Sequence, residues 1–289
     1  MTRAEIVAEA EAVIQRGSRS FRMASRLFDR TTRERAWLLY CWCRHCDDVC
    51  DGQDLGAPSV RGGDSLAEAR SLTALALAGR PTGRLPFDSL AAVLAECPIP
   101  SRFVDDHLEG FRLDESGWRP ADEADLLRYC YHVAGAVGCM MAVVMGVPAE
   151  EEETLERAAE LGIAFQLSNI ARDIADDHGA GRCYIPEAWL AAQGLTRQNL
   201  LQPANRGRLV PLVRRICDLA EAFELSARAG VVRLPFRSRW AILAAAGIYG
   251  RIGRRVAALG PAAWDRRVVV PRRDKAAIML SALREAIAA

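Results

Sequence analysis

The 289-residue chain is predicted to be all-α from its composition and its hydrophobic pattern. Hydrophobic residues make up 51% of it but aromatic residues only 7%. Alanine is the favoured apolar residue, and Ala, Leu, Arg and Glu lead the scale of helix propensity. Long alternations of Val, Ile, Thr and Tyr, which would favour strands, are absent from the sequence.

Apolar periodicity and turn residues then predict the helices in order. A first helix covers residues 3–15, and a second starts at a Thr31 or Thr32 cap and runs past Asp51 to Gly52. Further helices are expected at residues 66–78, 87–96, 103–112 and 151–177, with Asp122 or Asp125 capping an apolar helix before the last of these. No composition shift marks a linker, so residues 1–289 are predicted to form one domain.

Charge and cysteine content limit the partners and the compartment. Lys+Arg is 38 and Asp+Glu is 37, which argues against a nucleic-acid partner. Nine cysteines, an odd number spread through apolar helical patterns, favour reduced thiols and a cytoplasmic chain. Residues 129–149 carry no charge and are long enough to cross a bilayer, but their glycines and proline favour a buried central helix.

The first feature with chemical meaning is a stripe of polar residues on an apolar helix. Its members recur at steps of four, three and four, which places them on one face: Tyr40, Arg44, Asp47 and Asp51. Two carboxylates one turn apart repel each other, and the repulsion grows with burial. A divalent cation would relieve that repulsion.

A second helix repeats the arrangement. Its stripe has steps of three, four and four, and its members are Gln166, Asn169, Asp173 and Asp177. An amide oxygen with two carboxylates is hard-oxygen ligation, suited to magnesium shared with a phosphate group. Arg44 and Arg172 would neutralise the remaining diphosphate oxygens. The alternative is that both acidic pairs are ordinary solvated faces.

Five segments carry a recognisable pattern: GSRSF at 17–21, CRHCDDVCD at 43–51, YCYHVAGAVG at 129–138, AFQLSNIARDIADD at 164–177 and GRCYIP at 181–186. Together they resemble the squalene/phytoene synthase family, and within it the bacterial phytoene synthases. The likeness covers nearly the whole chain. It implies an isoprenoid-synthase helical bundle with a central cavity, the two aspartate helices facing each other across its mouth.

The resemblance also implies site residues. Metal, taken to be Mg²⁺ with Mn²⁺ as the alternative, would be held by Asp47, Asp51, Asn169, Asp173 and Asp177. Diphosphates or first isoprene units would touch Tyr40, Arg44, Gln166, Arg172 and Tyr249. A loop of Ser18, Arg19 and Ser20 would close over one diphosphate, and Tyr129 would lie near the reacting carbons. An ordinary core role for Tyr129 stays open.

The helix after Asp125 offers a cavity wall on its own pattern. Tyr129, Ala134, Val137, Gly138 and Met141 fall on one face within helical tolerance. Small residues are costly in a simple helix, since each glycine loses about 1 kcal/mol relative to alanine. They make sense if a prenyl chain fills the space beside them, or if another helix packs there closely.

The activity implied by the resemblance is head-to-head condensation of two geranylgeranyl diphosphates to phytoene. It proceeds through a cyclopropyl diphosphate, needs no NADPH and is the first committed step of carotenoid synthesis. The alternatives are a dehydrosqualene or squalene synthase using farnesyl diphosphate, a chain-elongating or cyclising terpene synthase, and a non-catalytic assembly or binding protein. Lipid substrates and product further imply loose association with the inner face of the membrane, near the cavity mouth, and contact with neighbouring carotenoid enzymes.

Overall fold

The computed structural model describes residues 1–17, 19–51, 53–54, 57–58 and 65–289, and the side chains of residues 1–17, 21–49 and 65–289. Within these ranges the chain is a bundle of helices, which confirms the predicted fold class. Its α-helices are α1 (Arg3–Gly17), α2 (Arg19–Ser25), α3 (Arg30–Asp51), α4 (Leu66–Leu77), α5 (Leu85–Glu96), α6 (Ser101–Glu115), α7 (Glu123–Cys130), α8 (Ala136–Val144), α9 (Glu152–Gly179), α10 (Glu187–Ala192), α11 (Arg206–Ala227), α12 (Phe236–Leu259) and α13 (Arg272–Ala288).

Short elements connect these helices. A π-helical turn, Tyr131–Gly135, joins α7 to α8, and 3₁₀ turns follow α11 at Arg228–Arg233 and α12 at Gly260–Trp264. Two antiparallel strands, β1 (Gln53–Asp54) and β2 (Ala57–Pro58), pair after α3.

The helix starts follow capping chemistry. At α3 the cap is Asp29, whose Oδ1 accepts a hydrogen bond from the Thr32 backbone N–H at 3.0 Å. The prediction of Thr31 or Thr32 as the cap was therefore wrong, because the carboxylate one position before the helix takes that role. At α7 the predicted cap is confirmed, since the Asp122 side chain accepts from the Asp125 N–H.

The core surrounds the long helix α9, which packs against α8, α11 and α12. One apolar cluster joins α3, α5, α6 and α8 and includes the fully buried Trp42, Leu90 and Met140. A second cluster, with Leu167 and Ile216 at its centre, joins α9 to α11. Burial of such side chains drives folding at about 25 cal/mol per Å² of apolar surface.

Small residues let α9 touch α8 and the π-helical turn before it at the backbone. A Cβ on Gly138 would overlap the carbonyl oxygen of Ala158, and a Cβ on Gly162 would overlap that of Ala134. Helix packing is therefore one reason for Gly138, the glycine that the sequence placed on a cavity wall.

The stretch Glu123–Val144 is long and apolar enough to cross a membrane by length and composition alone, with a mean hydropathy of 1.3, and half of it is buried inside the protein. Leu126, Cys130, Ala136 and Met140 on it have no exposed surface. Its position against α6 and α9 agrees with the interpretation of a buried central helix.

Candidate active site

An elongated cavity of about 490 Å³ lies inside the bundle, with most of its lining apolar. Such a volume is typical of small-molecule sites. Its lining runs along α9 from Thr154 to Asn169, which at 1.5 Å per helical residue is about 22 Å. The cavity is therefore long enough for an extended chain.

The first polar wall belongs to α3. Tyr40, Arg44 and Asp47 all line the cavity, as their helical spacing predicted. Arg44 donates from Nη1 to Asp47 Oδ2 at 2.9 Å, and its Nη2 bonds to the buried Asp48. The Asp47 side chain is 49% exposed, which marks this end of the cavity as its opening.

The second polar wall belongs to α9. Gln166 and Asn169 line the cavity opposite α3, and Asp173 lies one turn beyond them. Arg172 donates from Nε to Asp173 Oδ1 at 2.7 Å, and Arg267 donates from Nη2 to Asp173 Oδ2 at 3.0 Å. Only 17% of the Asp173 side chain is exposed, so this carboxylate is held more tightly than Asp47.

Two tyrosines also line the cavity, Tyr40 on α3 and Tyr249 on α12. Burial raises the pKa of Tyr40 to about 12, although the charge of Arg44 opposes the shift. Burial likewise raises the pKa of Tyr249, again against the charge of nearby Arg172. Both phenols therefore stay protonated near neutral pH and can donate hydrogen bonds to an anion at the opening.

Tyr249 also has a fixed ring. It stacks on Phe165 with centroids 4.1 Å apart and planes 15° from parallel, and both rings line the cavity. The Tyr249 hydroxyl therefore has few orientations to lose when it binds a ligand.

The predicted helix wall also lines the cavity. Tyr129, Ala134, Val137, Gly138 and Met141 contribute to it together. In a regular α-helix Tyr129 and Ala134 would diverge, but the π-helical turn between them follows i to i+5 spacing and brings both to one side. Gly138 thus serves the lining and the close contact with α9 at once.

The deep end of the cavity is closed by the 3₁₀ turn that follows α11 and by residues next to it. Gly230, in the 3₁₀ turn Arg228–Arg233, lies against Arg157, and a Cβ on Gly230 would be 2.7 Å from the Arg157 Cβ. Ala227, Val231 and Leu234 line the same end. This floor lies far from the charged opening.

Asp177 is a predicted ligand that does not line the large cavity. It borders a small pocket beside Arg182 and Tyr184, two turns along α9 from Asn169. The side chains of Ser18, Arg19, Ser20 and Asp51 lie outside the described residues. The backbone of Arg19 and Ser20 begins α2, so these two residues belong to a helix and not to the predicted loop.

The cavity and its two walls agree with the comparisons to known proteins. The sequence model of the squalene/phytoene synthase family matches residues 14–274. The chain is 45% identical over 276 residues to the 15-cis-phytoene synthase of Enterobacter agglomerans, which covers 94% of this chain and 92% of that relative. The chain belongs to the squalene/phytoene synthase family.

Other members of the squalene/phytoene synthase family give the same result. Identity is 44% over 276 residues to the 15-cis-phytoene synthase of Pantoea ananas, across 94% of this chain and 89% of the relative. A crystal structure of a dehydrosqualene synthase in complex with a ligand superimposes with a TM-score of 0.87 at 23% identity, covering 99% of this chain and 98% of that one. That superposition confirms the family fold.

The donor set of this family member fits a hard divalent cation. Asp47, Asn169 and Asp173 offer oxygen atoms only, which magnesium prefers and zinc does not. Arg44 and Arg172 hold carboxylates of both walls, so the mutual repulsion of these acids is already compensated by positive charge. A metal bound with an anionic ligand would compete with these arginines for the same oxygens.

Sequence reasoning missed four residues of the site. Asp48 accepts a hydrogen bond from Arg44, and Arg267 donates one to Asp173. Asp114 accepts hydrogen bonds from the hydroxyls of Tyr129 and Tyr184. Asp48 lay next to the stripe in sequence and could have been included. The other three reach the site from distant segments, and neither spacing nor periodicity indicated their contacts.

Proposed function

We propose that the chain is a phytoene synthase, which joins two geranylgeranyl diphosphates head to head through a cyclopropyl diphosphate. The observation that carries this proposal is the pair of arginine–acid walls, on α3 and α9, at the opening of a long apolar cavity. Relatives at 40–45% identity over most of the chain are named phytoene synthase or 15-cis-phytoene synthase.

The opening is built to bind diphosphate. Arg44, Arg172 and Arg267 each have a fixed guanidinium within reach of the acidic walls, and guanidinium geometry suits phosphate oxygens. Tyr40 and Tyr249 add neutral donors. Mg²⁺ held by Asp47, Asn169 and Asp173, with Asp51 and Asp177, would supply further positive charge to the departing diphosphate.

The apolar interior of the cavity would protect a carbocation from water. Phe21, Phe28, Phe111, Met141 and Leu161 are among its apolar lining residues. Water would convert an allylic carbocation to an alcohol. A carbocation that lies against this apolar lining would meet few water molecules. The aromatic faces also attract positive charge. The apolar wall thereby directs the cation toward the second prenyl chain.

Product identification tests the proposed activity directly. Purified protein with Mg²⁺ is given geranylgeranyl or farnesyl diphosphate, with and without NADPH, and the hydrocarbon is identified by chromatography and mass spectrometry. We expect phytoene from geranylgeranyl diphosphate and the same product when NADPH is added. If farnesyl diphosphate gives hydrocarbon and geranylgeranyl diphosphate does not, the protein is a dehydrosqualene or squalene synthase. If neither substrate gives hydrocarbon, the protein is a binding protein.

We propose further that the chain is cytoplasmic and attaches peripherally to the inner face of a membrane through its deep end. Val232, Phe236 and Ile287 are exposed there, the last at 70%. The Arg239 guanidinium donates to the carbonyls of Val232 and Ala286, which brings Val232 close to the segment that carries Ile287. This surface lies at the other end of the cavity from the opening. The sequence-based expectation had instead placed membrane contact near the opening.

Charge around Val232 and Phe236 supports an anionic lipid surface as the partner, and Glu285, two residues before Ile287, is paired with Arg228. The sequence contains no Asp or Glu between Glu224 and Asp265, and Arg233 is exposed beside Val232. Basic residues with inserted apolar side chains are typical of peripheral binding to anionic bilayers. The same segment lines the cavity floor, so lipid would meet the protein where the hydrocarbon tails end.

Vesicle sedimentation separates the two ends of the molecule. We expect binding to phosphatidylglycerol vesicles but little binding to phosphatidylcholine vesicles, and loss of binding in the double variant Val232→Ser and Phe236→Ser. Val269, 66% exposed and close to the opening, gives the matched control Val269→Ser. If Val269→Ser abolished binding while the double variant retained it, the opening would be the membrane surface. Contact with neighbouring carotenoid enzymes stays a prediction.

A further inference from the structure

One segment near the end of the chain concentrates positive charge. Residues 251–275 include eight basic residues and only two acidic ones, Asp265 and Asp274, which gives the segment a net charge of +6. The whole chain has a net charge of +1, so the rest of it is acidic overall. Such a separation of charge produces an electrostatic potential outside the protein, which an evenly mixed surface would not.

This segment lies beside the opening of the cavity. It comprises the end of α12, the 3₁₀ turn after it and the start of α13. Arg267 donates to Asp173 of the α9 wall at 3.0 Å, and Trp264 Nε1 donates to a backbone carbonyl of α9 at 3.3 Å. Tyr249, two residues before the segment on α12, lines the cavity. Residues 251–275 are therefore called the basic rim below.

One carboxylate holds three arginines of the basic rim together. The Asp274 side chain is 16% exposed and lies 3.7, 3.4 and 3.5 Å from the guanidinium nitrogens of Arg251, Arg255 and Arg273. Arg251 and Arg255 are one turn apart on α12, where like charges repel each other. One negative charge cannot compensate three positive ones, so this group of four side chains remains positive.

Part of this charge opposes the local stability of the fold. Arg272 and Arg273 are the first two residues of α13, where the helix dipole favours acidic side chains. Both residues are exposed, and the Arg273 side chain is 90% exposed. Natural proteins break such local rules chiefly at functional sites. The position of these arginines therefore indicates a use for positive charge at the rim.

We propose, on the basis of the proposed function, that the basic rim attracts the diphosphate of the substrate from solution and guides it to the opening. A prenyl diphosphate carries its negative charge at one end only. A positive rim would raise the local concentration of the substrate and turn its charged end toward α3 and α9. Apart from Arg267, the rim needs no contact with the bound diphosphate, because the attraction acts over a distance.

Two double variants with the same change in charge test whether position matters. Arg272→Glu with Arg273→Glu changes the charge of the rim by −4. Arg233→Glu with Arg284→Glu makes the same change at the deep end, because Arg233 belongs to the floor turn and Arg284 lies 12 residues, or about 18 Å, along α13 from Arg272. All four arginines are exposed.

The measurement is kcat/KM for geranylgeranyl diphosphate, with Mg²⁺, at three ionic strengths. The Debye length is about 30 Å at 0.01 M, about 8 Å at 0.15 M and about 3 Å at 1 M. At 0.15 M the rim variant should lose about tenfold in kcat/KM with kcat unchanged, and the deep-end variant should stay within about twofold of the wild type. At 1 M neither variant should differ from the wild type, whereas at 0.01 M both should be lower.

Stability separates electrostatic attraction from damage to the fold. Because glutamate suits the N-terminus of a helix, the rim variant should have a Tm equal to or above that of the wild type. If it does not fold, the neutral pair Arg272→Gln with Arg273→Gln changes the charge by −2 and should lose about threefold in kcat/KM at 0.15 M.

Three results would overturn the proposal. The first is an equal loss of kcat/KM in both double variants at 0.15 M, and the second is a loss in the rim variant that persists at 1 M. The third is normal kcat/KM in the rim variant together with lost binding to phosphatidylglycerol vesicles, which would assign the rim to lipid headgroups.

Inorganic diphosphate keeps this proposal separate from the proposed function. Its binding in the presence of Mg²⁺, measured by isothermal titration calorimetry, should be weaker in the rim variant than in the deep-end variant at 0.15 M, with the difference lost at 1 M. If the wild type makes no phytoene but shows this pattern, only the proposed function is refuted. If the wild type makes phytoene and the two variants bind diphosphate equally, only the role of the rim is refuted.

Discussion

The two acidic helices have nearly the same sequence pattern but different surroundings. On α3, Asp47 is half-exposed and shares Arg44 with the buried Asp48. On α9, Asp173 is largely buried and receives both Arg172 and Arg267. Residues from distant parts of the chain therefore decide how firmly a carboxylate is held, even where local spacing is alike. The open α3 side is free to adapt to a ligand, and the α9 side is pre-organised.

The largest effect should be shared by both helices. Asp47→Asn and Asp173→Asn should each lower turnover of geranylgeranyl diphosphate by at least about 100-fold, since each removes a charge that stabilises the departing diphosphate. Steady-state rates at saturating Mg²⁺ give the measurement. Asp176→Asn is the matched control, because Asp176 is exposed on α9. Near-normal turnover in either variant would remove that helix from the proposed site.

The rigidity of the α9 side should depend on its backbone contact with α8. Gly138→Ala and Gly162→Ala should each lower the free energy of unfolding by about 1–3 kcal/mol through overpacking. Gly207, which has nothing within 4 Å of an added Cβ, provides the control Gly207→Ala. Denaturant unfolding measures all three. Unchanged stability combined with a shift in preference toward farnesyl diphosphate would instead make Gly138 mainly a substrate contact.

The two aspartates should differ in stability. Asp173→Asn leaves Arg172, 15% exposed, without its charged partner, and should cost about 1–2 kcal/mol. That cost corresponds to a fall in Tm of roughly 2–8 °C. Asp47→Asn should change Tm by less than half as much, because its carboxylate is half-exposed. Thermal unfolding in EDTA without substrate gives both values, and equal shifts would contradict the comparison.

The smallest effect should come from Arg267, whose side chain is 57% exposed. Arg267→Ala should lower stability by less than about 1 kcal/mol, as exposed ion pairs usually do. A double-mutant cycle with Asp173→Asn measures the coupling between the two residues. Coupling above about 2 kcal/mol would show that Arg267, and not Arg172, is the main partner of Asp173.

The sequence predicted the features that depend on residues close together in the chain. Helical spacing placed Tyr40, Arg44 and Asp47 on one cavity wall, and the Asp122 cap on α7, because these features depend on neighbours within one or two turns. The π-helical turn Tyr131–Gly135 was not predicted, because the spacing of apolar residues over one turn does not separate i to i+4 from i to i+5 hydrogen bonding.

Long-range contacts explain the rest. Asp114 meets Tyr184 across 70 residues, and Arg267 meets Asp173 across 94. Nothing in the spacing of either pair indicates the contact, because the fold alone brings them together. The roles of the predicted ligands stay predictions until the variants are measured.

Gly230 has a consequence for the evolution and engineering of this enzyme. Because a Cβ at Gly230 would overlap the Arg157 side chain, a larger residue at this position would have to push the turn away from α9. Val231 in the same turn and Leu234 directly after it line the floor, so the length of hydrocarbon that the cavity admits depends on the position of the turn and on the size of these side chains. Variants that accept longer molecules should therefore carry smaller side chains at Val231 or Leu234, or shift the whole turn.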